Sequence, residues 1–258
     1  MPEITRAKPM IVAVMQPYFL PYLGYFDLLN KVDHWIVFDT AQYVRRGYGK
    51  RNKVQNGQGG TQQITLPVSH CEINTAYKDV RISDPNWGAK LLKEIRHYSA
   101  APCYKQTTEW LARSFAELGG EVSLSRINVA LIRAVAAKLG IDTRIDIYSE
   151  MGCRVDAQVQ TINDWGVLLA KQLGASLYMN RPGGQAILDP DYFAQQGMPL
   201  VFQTYEAMRY ECVGRHFIPN LSIVDVLMWN TPEVIMQHLA DSKARQSLMP
   251  AHAKQQTA

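Results

Sequence analysis

The 258-residue sequence has little charge and little cysteine. Charged residues make up 19%, and 27 Lys and Arg against 23 Asp and Glu leave a formal net charge of +4. Disorder needs low hydrophobicity with high net charge, and a chain that is 47% hydrophobic at +4 has neither. So small an excess suits local contact with an anionic ligand, not a protein that coats nucleic acid over a whole face. The four cysteines, Cys71, Cys103, Cys153 and Cys212, are far apart and form no C-x-x-C pair. That spacing argues against a structural zinc site, and no metal ligand set is expected. A disulfide framework is equally unexpected in a chain long enough to bury its own core. No stretch approaches the ~20 apolar residues of a membrane span. The run Met10–Met15 stops at Gln16-Pro17, too short for a signal-peptide core, so a cytoplasmic protein is expected. The sequence contains no G-x-G-x-x-G, G-x-x-x-x-G-K-[ST], G-x-S-x-G, H-E-x-x-H or EF-hand pattern.

What is present alternates strand and helix signals. Met10–Met15 and Trp35–Phe38 read as buried strands, with apolar residues at helical spacing from Leu23 to about Lys31 between them. Strand, loop, helix, strand is a βαβ unit. Ile64–Val68 and Val80–Ile82 look like strands of a hairpin or edge extension. Helical patterns cover 87–98, 105–118 and 124–139, the last closed by Gly140. Arg144–Tyr148, Ser176–Met179 and Leu200–Tyr205 read as further strands. Thr161–Leu173, Leu221–Asn230 and Pro232–Leu239 read as helices. The expected fold is α/β, a Rossmann-like mixed or parallel sheet with flanking helices and a helical insertion. Residues 1–9 read as an N-terminal extension, 10–240 as a single domain, and 241–258 as a flexible tail.

Three segments carry candidate chemistry. The loop Gln16-Pro-Tyr-Phe-Leu-Pro-Tyr-Leu-Gly24 follows the first strand, and open α/β sheets bind ligands at the carboxyl ends of their strands. Gln16 offers an amide there, and Tyr18 and Tyr22 offer rings and hydroxyls. A stiff turn whose aromatics fill core would look the same. The second segment, Asp39 to Lys53, holds Arg45, Arg46, Lys50, Arg51 and Lys53 with few acids nearby, a local positive potential suited to phosphates. A solvated basic loop is the bland alternative. Asp39 is a base candidate at a strand end, or a cap, or a partner for Arg45. The third segment, Gly214 to Asp225, contains His216, a candidate proton carrier. It also contains Asn220 and Ser222 as N-caps and Asp225 in the first turn of the next helix. Asn180-Arg-Pro-Gly-Gly184 could present backbone amides to an anion, or form an ordinary turn.

These motifs together, Gln16-Pro-Tyr-Phe-Leu-Pro-Tyr-Leu-Gly-Tyr-Phe26, Phe38-Asp39 with Gln42-Tyr43, Arg51-Asn52-Lys53, Leu66-Pro67-Val68 and Phe217-Ile-Pro-Asn-Leu-Ser-Ile-Val-Asp225, resemble the WbqC-like family. The resemblance runs from about Met10 to Leu239. It departs at Tyr22, where a tryptophan is more usual. It implies a place in O-antigen or related surface-polysaccharide biosynthesis, with transfer of a glycyl or other small acyl or aminoacyl group to the amine of a nucleotide-linked amino sugar. On that footing Asp39 or His216 would move the proton, and Arg45, Arg51 and Lys53 would hold phosphates. Gln16, Tyr18, Tyr22, Gln42 and Asn52 would contact the transferred group or sugar, while Asn220 and Asp225 shape the pocket. No cofactor is firmly implied; the donor would be an aminoacyl-tRNA, an adenylate, or ATP with the free acid. Partners would be a sugar nucleotide or another phosphate-bearing small molecule and charged tRNA. A second similarity, to nucleotidyltransferases whose first loop carries His-x-Gly-His, meets Tyr22-Leu-Gly-Tyr25 here, without either histidine. The remaining alternatives are thus an ATP-using nucleotidyltransferase-like enzyme and a non-catalytic sugar-nucleotide or RNA binding protein.

Overall fold

The computed structural model describes residues 9–248. Strand β1 (Ile11–Met15) leads through α1 (Leu23–Lys31) to β2 (His34–Val37). A hairpin of β3 (Arg51–Gln55) and β4 (Thr61–Thr65) follows, then α2 (Trp87–Glu94), α3 (Tyr104–Ala116) and α4 (Leu124–Leu139). The chain re-enters the sheet at β5 (Arg144–Ile147) and continues through α5 (Ile162–Gln172), β6 (Leu177–Asn180), α6 (Pro190–Gln195) and β7 (Leu200–Phe202). It closes with α7 (Ile223–Trp229) and α8 (Pro232–Leu248).

The main sheet has the order β5-β2-β1-β6-β7, and all four of its pairings are parallel. Numbered along the chain within that sheet alone, the order is 3-2-1-4-5, the doubly wound order 3-2-1-4-5-6 without its sixth strand. The Rossmann-like α/β expectation therefore holds. Burial explains why the strands read as continuous apolar runs. Ala13, Met15, Trp35 and Val37 pack into one core with α1, α4, α7 and α8, while Val12, Val14 and Ile36 pack into a second with α5 and α6. Both faces are covered, so alternation in hydrophobicity disappears.

Two elements differ from expectation. Arg51–Gln55, read as a basic loop, is the strand that pairs with β4, and the strand expected at Ile64–Val68 lies three residues earlier, at Thr61–Thr65. Val68 and Ile82 meet only through one isolated bridge. The hairpin hides because only one face is apolar: Val54 and Ile64 are buried, while Lys53 and Thr65 are exposed. Likewise α8 runs on to Leu248 where a loose tail was expected from 241. Polar contacts hold it. The Lys31 ammonium, whose pKa burial lowers, donates to Asp27 (2.6 Å), to the Thr204 carbonyl (2.7 Å) and to Ser242 Oγ (2.8 Å). Gln246 Oε1 accepts from both the amide and the hydroxyl of Thr204 at 2.6 Å. Residues 1–8 of the expected extension and 249–258 of the expected tail lie outside the described residues. Among the described residues no helix is long and apolar enough to cross a membrane.

Candidate functional site

The loop leaving β1 is pinned at nearly every peptide. The Asn128 amide on α4 donates to the carbonyls of Pro17 (2.9 Å) and Gly49 (2.7 Å), and Tyr25 Oη donates to the Gln16 carbonyl (3.0 Å). The Phe19 amide donates to the Tyr48 carbonyl (2.9 Å). Leu20 has φ +40°, a strained conformation for a branched side chain, and its carbonyl explains how it is held. That oxygen accepts from Asn52 Nδ2 (2.8 Å) and from Ser222 Oγ (2.7 Å). The Ser222 amide donates to Lys53 and the Ile223 amide to Pro21. Three motifs scattered through the sequence thus form one knot. Gly24 belongs to it by close approach, since a Cβ there would lie 2.3 Å from the Tyr22 ring.

Beside this knot is a cleft of about 250 Å³ lined by Tyr18, Pro21, Tyr22, Tyr48, Asn52, Arg181 and Asn220. Its position follows from the topology. β1 leads off to β2 on one side and β6 lies on the other, so the switch of direction falls between β1 and β6. Tyr18 follows β1 and Arg181 follows β6, which puts the cleft at the carboxyl-end crevice of that switch point. Tyr18 and Tyr48 stack tilted at 5.7 Å, and Tyr22 packs edge-on against Tyr205 at 5.8 Å. Asn220 adopts φ +59°, a left-handed conformation that asparagine tolerates.

Arg181 is the cleft's distinctive group. Among the described residues no carboxylate pairs with it. Burial holds the Tyr18 and Tyr22 hydroxyls above the ordinary tyrosine pKa, and the Arg181 guanidinium pulls both part of the way back. One cation therefore lines the same cleft as two protonated hydroxyl donors. Such an arrangement can grip a phosphate by a fork of N–H groups, stack a ring, and donate to a developing oxyanion. Among the described residues no carboxylate or imidazole lines the cleft.

The structure therefore brings together Tyr18, Tyr22, Asn52 and Asn220 from the sequence-derived candidates and leaves the others elsewhere. Asn52 serves mainly as a clamp, buried and bonded to the Phe19 and Leu20 carbonyls. Gln16 Oε1 points to Tyr77 Oη at 3.5 Å. Gln42 is exposed and donates to the Ile73 carbonyl (2.8 Å). Arg45 donates to the Cys71 carbonyl and Arg51 to that of Arg46, while Lys53 is exposed. His216 is exposed, and its carbonyl, not its ring, accepts from Gln55 (2.6 Å). Asp225 is buried and accepts from Tyr98 Oη, Tyr210 Oη (2.8 Å) and the Gln55 amide (3.3 Å). Burial raises its pKa, offset by those bonds and by Arg215.

Asp39 lines a larger cleft of about 550 Å³ at the ends of β2 and β5, with Lys78, Arg81, Ser123, Arg126, Ser149 and Arg154 among its neighbours. Its carboxylate accepts from the Ser149 amide (3.0 Å) and hydroxyl (2.5 Å), which makes it a latch on the turn after β5. Size favours this second cleft, but its arginines at 126 and 154 pair with Glu150 and Asp156, and Arg81 is turned onto the carbonyls of Lys78 (2.7 Å) and Val80 (3.5 Å). The smaller cleft holds a guanidinium with neither kind of partner among the described residues. Sequence reasoning missed Arg181 and Tyr48. The Asn180–Gly184 turn after a strand was the available signal, and Arg181 is the residue of that turn that lines the cleft. Among the described residues no cluster of His, Cys, Asp or Glu could hold a metal ion.

A family model described as the WbqC-like protein family matches residues 16–237, which spans all three knotted motifs and Arg181. The chain is also 28% identical over 219 residues to "Uncharacterized protein Rv1507c" of Mycobacterium tuberculosis, covering 84% of this chain and 92% of that protein. No solved structure matches.

Proposed function

The chain belongs to the WbqC-like protein family, and from that premise we propose that it is a transferase of surface-polysaccharide biosynthesis. In this proposal it moves a small acyl or aminoacyl group, such as glycyl, onto the amine of a nucleotide-linked amino sugar. The observation that carries the proposal is Arg181, without a carboxylate partner among the described residues, at the switch point of a doubly wound sheet and lining one cleft with two protonated tyrosines. Arg181 would hold the acceptor's phosphates bidentately, and Tyr48 and Tyr18 would flank its rings.

The chemistry that remains is amide formation from an activated ester. The neutral amine attacks the acyl carbonyl, and the C–N bond forms as the C–O bond to the leaving group breaks. Tyr18 and Tyr22, kept protonated by burial, are the donors available to the developing oxyanion. The amine's proton passes to the departing oxygen, since among the described residues no carboxylate or imidazole lines the cleft. Asp39 and His216 are left with positioning and surface roles. Such an enzyme would work in the cytoplasm, where its acceptor is made.

The test is mass spectrometry of UDP- and TDP-linked amino sugars incubated with the protein, amino acid, ATP and charged tRNA. A gain of one acyl or aminoacyl unit on the acceptor supports the proposal, and unchanged acceptors across a broad panel overturn it. The 3-2-1-4-5 strand order also suits an ATP-using nucleotidyl transfer. Pyrophosphate release with a nucleotide added to the acceptor would establish that chemistry instead.

A further inference from the structure

From Thr40 to Cys71 the chain contains no Asp or Glu, the longest stretch of this sequence without a carboxylate. The same stretch holds Arg45, Arg46, Lys50, Arg51 and Lys53. Among the described residues none of these five forms an ion pair. Arg45 and Arg51 instead fold onto the carbonyls of Cys71 and Arg46, and the second bond holds the Arg51 guanidinium at the turn that carries Arg46.

The hairpin gives that charge a shape. Arg51 pairs with Thr65 and Lys53 with Gln63 across the β3–β4 register, so these four side chains share one face. Lys53, Gln63 and Thr65 are exposed on it, while Asn52, Val54 and Ile64 fill the buried face. Next to the arginine turn stands Tyr48, 54% exposed, whose ring also lines the Arg181 cleft. Cations flanking an exposed aromatic, with Gln and Thr beyond, make a platform for a single nucleic-acid strand. Its bases stack on the ring and its phosphates meet the cations.

We infer that this acid-free face binds the single-stranded end of an RNA and that the acyl donor is an ester on that RNA's terminal ribose. The inference rests on the transferase proposal and names its donor class. The RNA end crosses Tyr48 into the cleft, where the acceptor amine attacks the ester carbonyl. The ribose C–O bond breaks, the amide bond forms, and the ribose oxygen takes the amine's proton, which releases deacylated RNA. No oxidant or further co-reactant is needed.

Fluorescence anisotropy of the full chain with a labelled, unstructured 12-nucleotide RNA across a salt series tests the face directly. Three or four neutralised phosphates give a slope of about −2 to −3 in log K against log salt, at about 0.7 per contact. Arg46→Ala with Lys53→Ala should flatten that slope by about 1.4. Tyr48→Ala should weaken binding about tenfold and leave the slope in place. Binding without salt dependence, an unchanged affinity in Tyr48→Ala, or equal competition by dextran sulfate at matched charge would overturn the inference. The donor is then tested by supplying aminoacyl-RNA or an aminoacyl adenylate with the amino-sugar nucleotide. Transfer from the adenylate alone removes the RNA donor and leaves the transferase standing. RNA bound in the expected pattern, with no acylation from either donor, removes the transferase and leaves the RNA face.

Discussion

Two clefts open on the carboxyl edge of one parallel sheet, and each begins from a charged or polar residue that ends a strand. At the β2/β5 end that residue is Asp39, and at the β1/β6 end it is Arg181 with Tyr18 opposite. Asp39 is 1% exposed and both of its oxygens accept from Ser149. Arg181 has no carboxylate partner among the described residues, and its field is felt by two tyrosine hydroxyls. Position at a strand end is common to both. What separates them is residual bonding capacity, since a group whose partners are all internal stabilises the fold and has nothing left for a ligand. Asp225 belongs with Asp39 in this respect, closed off by two tyrosines and a peptide amide.

The comparison breaks first at Arg181. Arg181→Ala should lower kcat/KM for acyl transfer by about 100- to 1,000-fold, the usual cost of removing one preorganised donor to developing or bound anionic charge. Its melting temperature should stay at the wild-type value, because no internal partner is orphaned. Arg181→Lys should recover only part of the rate, having charge without the fork. Equal losses of rate and stability in Arg181→Ala would make Arg181 another structural latch. The reverse pattern is expected at Asp39. Asp39→Ala should cost about 1–3 kcal/mol in urea unfolding, since it strands the Ser149 amide and hydroxyl, while kcat/KM in the remaining folded protein changes little. A large kcat loss at unchanged stability would restore Asp39 as a catalytic base.

Asp225 sharpens the committed side through pH. Burial raises its folded pKa above the unfolded value, so between the ordinary carboxylate range and that raised value the folded protein holds the extra proton. Stability contributed by this group therefore declines as pH rises through the window, and the loss is complete above the folded pKa. Asp225→Asn removes the ionisation. Its stability relative to wild type should improve with rising pH by up to about 1.4 kcal/mol per pH unit inside the window. A constant difference from the carboxylate range to neutrality would show that Asp225 titrates as an ordinary carboxylate.

The strand–helix order and the site loop were legible in the sequence because each rests on a local signal. Met10–Met15 broken by Gln16-Pro17 marks the end of β1, and the helix 124–139 closed by Gly140 appears with those bounds and a left-handed glycine at its end. Elements buried by polar groups were not legible. The end of α8 docks through Ser242 and Gln246, whose partners Lys31 and Thr204 have no hydrophobic period to show. The role of Asp39 was equally hidden, because its partner Ser149 lies 110 residues away. Arg181 was passed over for the glycines beside it, since its importance comes from β6 lying next to β1, a property of sheet order rather than of the segment itself. Local pattern showed where strands end, and only the assembled sheet showed that Arg181 comes to lie beside Tyr18.

The finest difference between the two clefts should be readable in the tyrosines. Tyr18 and Tyr22 carry raised pKa values whose first cause is burial and whose second, opposing cause is the Arg181 guanidinium. A nearby cation favours the phenolate, so Arg181→Ala must move both titrations further up in pH, in addition to whatever it does to turnover. Ultraviolet difference absorbance of phenolate formation resolves this when each titration is compared with that of the matching Tyr18→Phe or Tyr22→Phe protein. Asp39→Ala, at the other end of the sheet edge, should leave both curves where they are. An upward shift confined to Arg181→Ala ties the cation to those two hydroxyls in solution. Curves that do not move would mean that its side chain faces away from them, and the cleft would then lose the feature that distinguishes it from its neighbour.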